Sequence, residues 1–83
     1  MSLESEELRG RNAQDLLNNP ILKEALDLFK NEVFEVWIRA KEPEERENCW
    51  RMYNSALMFE GVLNGFIQSG KIAREQIKRL NNG

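Results

Sequence analysis

Residues 43–80 read PEERENCWRMYNSALMFEGVLNGFIQSGKIAREQIKRL, and the spacing of their apolar side chains sets the architecture that we expect. Apolar or small residues recur at intervals of three and four, the a/d rhythm of a helix that packs along its whole length. The stripe consists of Met52, Ala56, Phe59, Leu63, Phe66, Gly70, Ala73, Ile77 and Leu80. As one helix, the segment would be about 57 Å long.

The length of this segment leaves two possibilities open at Gly70. A compact chain of this size has a diameter of about 30 Å, so the helix either breaks at Ser69-Gly70 or continues and needs a partner along its length. A glycine inside a helix costs about 1 kcal/mol, which a buried seam offsets. Because the stripe keeps its phase through Gly70, continuation is the favoured reading.

Two prolines divide the rest of the chain. Pro20 and Pro43 each follow a residue that suits the start of a helix, and proline itself is favoured at the first helical position. Since proline disfavours the α conformation in the residue before it, the preceding helices should end near Asn18 and Lys41. The sequence therefore predicts a single domain over residues 1–83, with helices at about 5–17, 20–40 and 43–80.

The predicted fold class is all-α, because no segment alternates apolar and polar residues as a strand does. The second helix carries its own stripe, which further apolar residues widen beyond a two-helix seam. We therefore expect a helical hairpin of the two long helices, with the short N-terminal helix packed on it, assembled as an oligomeric bundle. The second-helix stripe comprises Leu22, Leu26, Phe29, Val33, Val36 and Ala40.

Composition argues against an enzyme. The 83 residues are 41% hydrophobic and 31% charged, with a net charge of −2 and no histidine. Histidine is the commonest acid–base group and metal ligand, and Cys49 has no such partner to make it a nucleophile. We therefore expect a non-enzymatic protein with no catalytic residue, metal or cofactor. The sequence contains no run of eighteen apolar residues, which a membrane-spanning helix would need. A single cysteine is typical of a protein in a reducing compartment.

A row of small residues marks a possible contact surface on the third helix. Gly61, Gly65 and Ser69 are spaced four apart, which lets another backbone approach closely. The neighbour could be a helix of the same chain, a second subunit or a ligand. Because the second helix is only about 30 Å long, we expect an antiparallel second copy to cover the remaining stripe. The predicted interface comprises Gly61, Gly65, Ser69, Phe66, Ala73, Ile77 and Leu80.

Three aromatic residues should meet where the hairpin closes. Trp37 ends the second helix, and Trp50 and Tyr53 lie near the start of the third. Such a cluster can anchor a ligand or a partner, but large side chains more often fill the core between splayed helices. We expect these three residues to be core.

The C-terminal segment is the one positive patch. Lys71, Arg74 and Lys78 lie along one edge of the predicted helix and could contact phosphate groups. Cations in the last turns of a helix also complement its dipole, and Glu75 is placed to pair with Arg79 four residues on. This edge supports an alternative function, a small helical nucleic-acid-binding accessory protein.

Several stretches in order along the chain carry a family resemblance. They are Leu16-Leu17-Asn18-Asn19-Pro20, Lys23-Glu24-Ala25, Trp37, Glu44-Glu45-Arg46-Glu47, Trp50 and Gly70-Lys71-Ile72-Ala73. Over about residues 13–77 the chain resembles a group of short helical proteins encoded by tailed bacteriophages and prophages, although its loop at Pro43 is more acidic than theirs. The resemblance implies a virion or assembly component without catalytic residues, in the host cytoplasm or the virion.

Overall fold

The computed structural model describes residues 2–82, and the all-α prediction is confirmed: the described chain contains three helices and no strand. The two ends of the predicted domain, Met1 and Gly83, lie outside the described residues. The helices are α1 (Leu3–Leu17), α2 (Pro20–Arg39) and α3 (Pro43–Asn82).

Asparagine and proline together separate α1 from α2. The Asn19 side chain accepts hydrogen bonds from the amides of Ile21 and Leu22, at 2.8 Å and 3.3 Å. Pro20 occupies the first helical position, where its missing N–H is not needed. Only two residues link the helices, and α2 continues in the same direction as α1.

The third helix runs unbroken through Gly70 for 40 residues. A Cβ atom on Gly70 would lie 3.0 Å from the Cα atom of Gly10, and one on Gly10 would lie 2.8 Å from the Phe66 carbonyl oxygen. Two glycines thus allow the α1 and α3 backbones to touch. Gly70 is a point of close packing, and the favoured reading of the stripe is correct.

The two long helices pair as in the predicted hairpin, and the short N-terminal helix packs on α3. α1 and α2 lie end to end, and both run antiparallel to α3. α1 covers the C-terminal half of α3, where Ala13 packs in a buried cluster with Leu63 and Ile67. α2 covers the N-terminal half, where Val33 and Cys49 are buried. Within one chain, α1 therefore packs on the C-terminal part of the apolar stripe of α3.

The resulting molecule is long and flat. It measures 62 × 24 × 15 Å and has a radius of gyration of 17.9 Å, against about 12 Å for a compact chain of this length. Since a helix with its side chains is about 10–12 Å across, the shortest dimension corresponds to a single layer of helices. Each helix consequently has one covered edge, and its other sides are largely uncovered.

Candidate interaction surfaces

Large apolar side chains are exposed along the α2–α3 half of the molecule. No large side chain of the described residues is fully buried, and the core consists mainly of alanine, valine, leucine, isoleucine and cysteine. The thin layer cannot enclose the larger side chains. Eleven of them are between 44% and 65% exposed: Leu28, Phe34, Val36, Trp37, Ile38, Trp50, Met52, Leu57, Met58, Phe59 and Val62.

The predicted aromatic cluster forms, but at the surface. Trp37, Trp50 and Tyr53 line one groove, and they are 46%, 64% and 40% exposed. The expectation that they are core is wrong, because nothing lies over this face of the single helical layer. We call this surface the aromatic groove. It is lined by Val33, Phe34, Trp37, Cys49, Trp50 and Tyr53.

One member of the aromatic groove was not singled out from the sequence. The Phe34 ring stacks on Trp37 with centroids 6.1 Å apart and an interplanar angle of 18°. The signal was present, since residues three apart on a helix are neighbours. Cys49 forms the floor of the groove and is a free, buried thiol. Its role here is packing.

A second apolar groove lies on the other side of the same seam. It shares Val33 and Cys49 with the aromatic groove and is lined further by Phe29, Val36 and Met52, with Glu32 as its one charged residue. The α2–α3 pair is therefore apolar on both faces. A helix pair with two apolar faces is typical of the interior of a larger bundle.

One ion pair crosses the α2–α3 seam. Lys30 Nζ lies 2.6 Å from Glu60 Oε1, and both side chains are about one quarter exposed. The hydrogen bond to Glu60 raises the pKa of Lys30 above its ordinary value, and the Glu60 charge adds to this although partial burial opposes it. The pair ties the middle of α2 to the middle of α3.

The three residues of the predicted small-residue row, Gly61, Gly65 and Ser69, have different surroundings in the structure. A Cβ atom on Gly61 or Gly65 would meet no other atom within 4 Å, so no helix of the same chain packs there. Ser69 is half-buried. The alternative that another helix of this chain covers the two glycines is excluded, and both remain open to a neighbour.

Other residues of the predicted subunit interface are already covered within one chain. Ala73 is fully buried, and Phe66 and Ile77 are half-buried in the part of α3 that α1 covers. The Arg9 guanidinium lies over the Phe66 ring, 4.3 Å from its centroid. Ala73 is therefore not available to a second copy, and α1 already covers part of Phe66 and Ile77. Leu80 is 73% exposed.

The positive edge gains a residue from α1. Lys71 and Arg74 line a groove together with Arg11, while Glu7 lies 4.0 Å from Arg11 and offsets part of the charge. The carboxylate of Glu75 pairs with Lys78 at 3.8 Å, in place of the expected pairing with Arg79. The edge is therefore partly neutralised.

Within residues 2–82, no three acidic, histidine or cysteine side chains come close enough together to bind a metal ion. Over the same part of the chain, no helix combines the length and the apolar character that crossing a bilayer requires.

Fold and surfaces together define a class: a flat, all-α protein of three helices whose main unexplained feature is exposed apolar surface. No family model, curated protein or solved structure matches the chain. The resemblance to phage-encoded helical proteins thus stays a prediction.

Proposed function

We propose that this chain is a non-enzymatic interaction protein that self-associates, as a virion or assembly component of phage type. The supporting observation is its surface area of 6,513 Å², against about 5,100 Å² for a folded monomer of this mass. The excess is about 1,400 Å², and each partner in an ordinary stable interface contributes about 800 Å². The chain therefore carries enough surplus surface for a stable interface.

The chemistry of that surface supports the same proposal. Soluble monomers seldom expose large contiguous apolar patches, and aromatic residues and methionine are enriched in the centres of interfaces. The aromatic groove exposes two tryptophans, and Met52 and Met58 are 48% and 65% exposed on α3. Assembly would cover these side chains while leaving the α1–α3 packing unchanged.

Solution mass tests the proposal directly. We expect light scattering at micromolar concentrations to give a multiple of 9.7 kDa. Trp50→Glu should lower that mass, because it places a carboxylate in the aromatic groove. Asn12→Glu is the matched control, since it adds the same charge at an exposed position of α1 and should leave the mass unchanged. A monomeric mass for the unmodified chain at high micromolar concentration would exclude self-association.

A second function is supported by one observation, the presence of Arg11 beside Lys71 and Arg74. Three cations around one groove can contact phosphate groups of a nucleic acid, and such binding weakens steeply as salt increases. If this function holds, Arg74→Gln with Lys78→Gln should abolish a low-salt complex and cost no more than about 0.5 kcal/mol of stability per site. Absence of binding by the unmodified protein at low salt would exclude it.

A further inference from the structure

The middle of α3 is almost free of charge. Between Arg51 and Lys71 the helix carries one side chain that is charged at neutral pH, Glu60, and this carboxylate is paired with Lys30. Charged residues are depleted in the core of protein interfaces. We propose that this segment, residues 52–70, packs antiparallel against the same segment of a second copy, with the two-fold axis near Gly61. The inference rests on the self-association proposed above and specifies its geometry.

The uncovered side of this segment is suited to close contact with another helix. Met58 and Val62 are 65% and 56% exposed, and Gly61 and Gly65 have open space where a Cβ would stand. These residues are spaced three or four apart, so they share one side of the helix. The two large side chains can supply buried apolar area, and the two glycines allow the partner backbone to approach.

Charge at the two ends of α3 selects the orientation. Residues 42–48, the acidic arm, contain four glutamates and one arginine and have a net charge of −3, part of which Arg51 offsets through its 2.9 Å ion pair with Glu47. Residues 71–79, the basic arm, contain four cations and one glutamate and have a net charge of +3, which Glu7 of α1 offsets in part. A parallel pair would place like arms side by side, whereas an antiparallel pair places each acidic arm beside the partner's basic arm. Electrostatic complementarity of this kind determines orientation and register.

The positions of the arms also determine the register. Their midpoints fall near residues 45 and 75, so the arms face each other when the two-fold axis lies close to residue 60. At that register the uncharged segment occupies the whole centre of the contact. Glu60 lies close to the axis, but its carboxylate is directed to Lys30 across the α2–α3 seam and is already paired. The interface is isologous, as in most homodimers.

Cysteine cross-linking tests orientation and register together, in a Cys49→Ala background that removes the native thiol. Gly61→Cys places a thiol at the axis, where it can meet its own copy within disulfide distance. Ser69→Cys is the matched control. In the antiparallel dimer its two copies are about 24 Å apart, whereas a parallel dimer would bring them together. We expect Gly61→Cys to form a disulfide-linked dimer on mild oxidation and Ser69→Cys to remain unlinked.

Each of the other outcomes of these experiments would contradict a different part of the proposal. Efficient cross-linking of Ser69→Cys would overturn the antiparallel orientation. A doubled solution mass without cross-linking of Gly61→Cys would overturn this interface and leave self-association standing. A monomeric mass of the unmodified chain would overturn both.

Charge reversal tests the same geometry without cysteine. The triple variant Glu44→Lys, Glu45→Lys, Glu47→Lys should dimerise at least tenfold more weakly than the unmodified chain at low salt, because both arms become positive. The complementary variant Lys71→Glu, Arg74→Glu, Lys78→Glu should be weakened similarly, and an equimolar mixture should recover a dimer. Unchanged dimerisation of both triple variants, with helix content retained by circular dichroism, would overturn the role of the arms.

Discussion

Glycines in this chain have two different surroundings, and the difference can be measured. At Gly10 and Gly70 the backbones of α1 and α3 are in contact, so neither position has room for a side chain. At Gly61 and Gly65, by contrast, α3 is open to solvent. A glycine inside a helix costs about 1 kcal/mol relative to alanine. Close packing of α1 on α3 offsets that cost at Gly10 and Gly70. Nothing inside the chain offsets it at Gly61 and Gly65.

Gly10→Ala should therefore destabilise the fold. The new methyl group would lie 2.8 Å from the Phe66 carbonyl oxygen, and a backbone atom cannot move aside as a side chain can. We expect a loss of about 1–3 kcal/mol, the usual range for overpacking, in urea unfolding followed by circular dichroism. Gly65→Ala, measured at low protein concentration, is the control and should be neutral or stabilising. A Gly10→Ala chain as stable as the unmodified one would contradict the close contact.

Trp50→Ala should weaken the association of two chains while costing the single chain little stability. Full burial would give a loss of about 3–5 kcal/mol, but the Trp50 side chain is 64% exposed in the single chain. We expect a loss below about 1.5 kcal/mol in the dilute protein, together with weaker association in sedimentation velocity. A large loss of stability at a concentration where the chain is monomeric would show that Trp50 is core after all.

At the scale of elements, the two halves of α3 are held by different means. α1 meets the C-terminal half through backbone contact at glycine and a small buried cluster. α2 meets the N-terminal half through the seam at Val33 and Cys49 and through the Lys30–Glu60 pair, while larger apolar side chains stay outside. The α2–α3 half therefore has more to gain from a partner.

The Lys30–Glu60 pair predicts a defined pH dependence. Because folding raises the pKa of Lys30, the pair stabilises the fold fully from neutral pH up to the ordinary value of 10.5, and this contribution is lost as pH rises through the raised pKa. At neutral pH, Glu60→Gln should cost about 0.2–1 kcal/mol, as is usual for partly exposed pairs. The difference from the unmodified chain should disappear above that pKa in urea unfolding.

The control for this prediction is Glu24→Gln, which removes an exposed carboxylate of α2 that forms no ion pair in the described structure. It should cost little at any pH. A stability gap between the unmodified chain and Glu60→Gln that persists unchanged into strong alkali would show that the pair is not its cause.

At the scale of the whole molecule, shape is the most informative property. A chain 62 Å long and one helix thick has a high ratio of surface to volume, and its core is correspondingly thin. Such a layer resembles part of a bundle more than a complete small domain. Association of two layers is the simplest way to complete it.

Small-angle X-ray scattering should distinguish the proposed dimer from other assemblies. Two copies centred near Gly61 overlap almost completely, so the mass should double while the maximum dimension stays near 70 Å. A head-to-tail pair would approach twice the 62 Å length of one chain. A doubled length would contradict the proposed register.

From the sequence alone, the helices and their limits could be predicted well. Pro20 and Pro43 mark helix starts through local backbone geometry, and the a/d stripe of α3 holds its phase through Gly70. The start of α1 was placed two residues too late, because the Ser2 side chain accepts a hydrogen bond from the Ser5 amide and begins the helix at Leu3. These features depend on interactions between neighbours in the chain, which a sequence displays directly.

Only the tertiary structure shows which helix covers which stripe. An apolar stripe indicates that a surface is covered by a partner but does not identify the partner. Ala73 was therefore predicted to contact a second copy, whereas α1 of the same chain covers it. The same ambiguity placed Trp37 and Trp50 in the core, although they meet on an open face. The contact of Gly10 with Gly70 joins residues far apart in sequence, and it brings α1 into line with α2 along α3. Coverage of a surface depends on such long-range contacts, which local spacing does not encode.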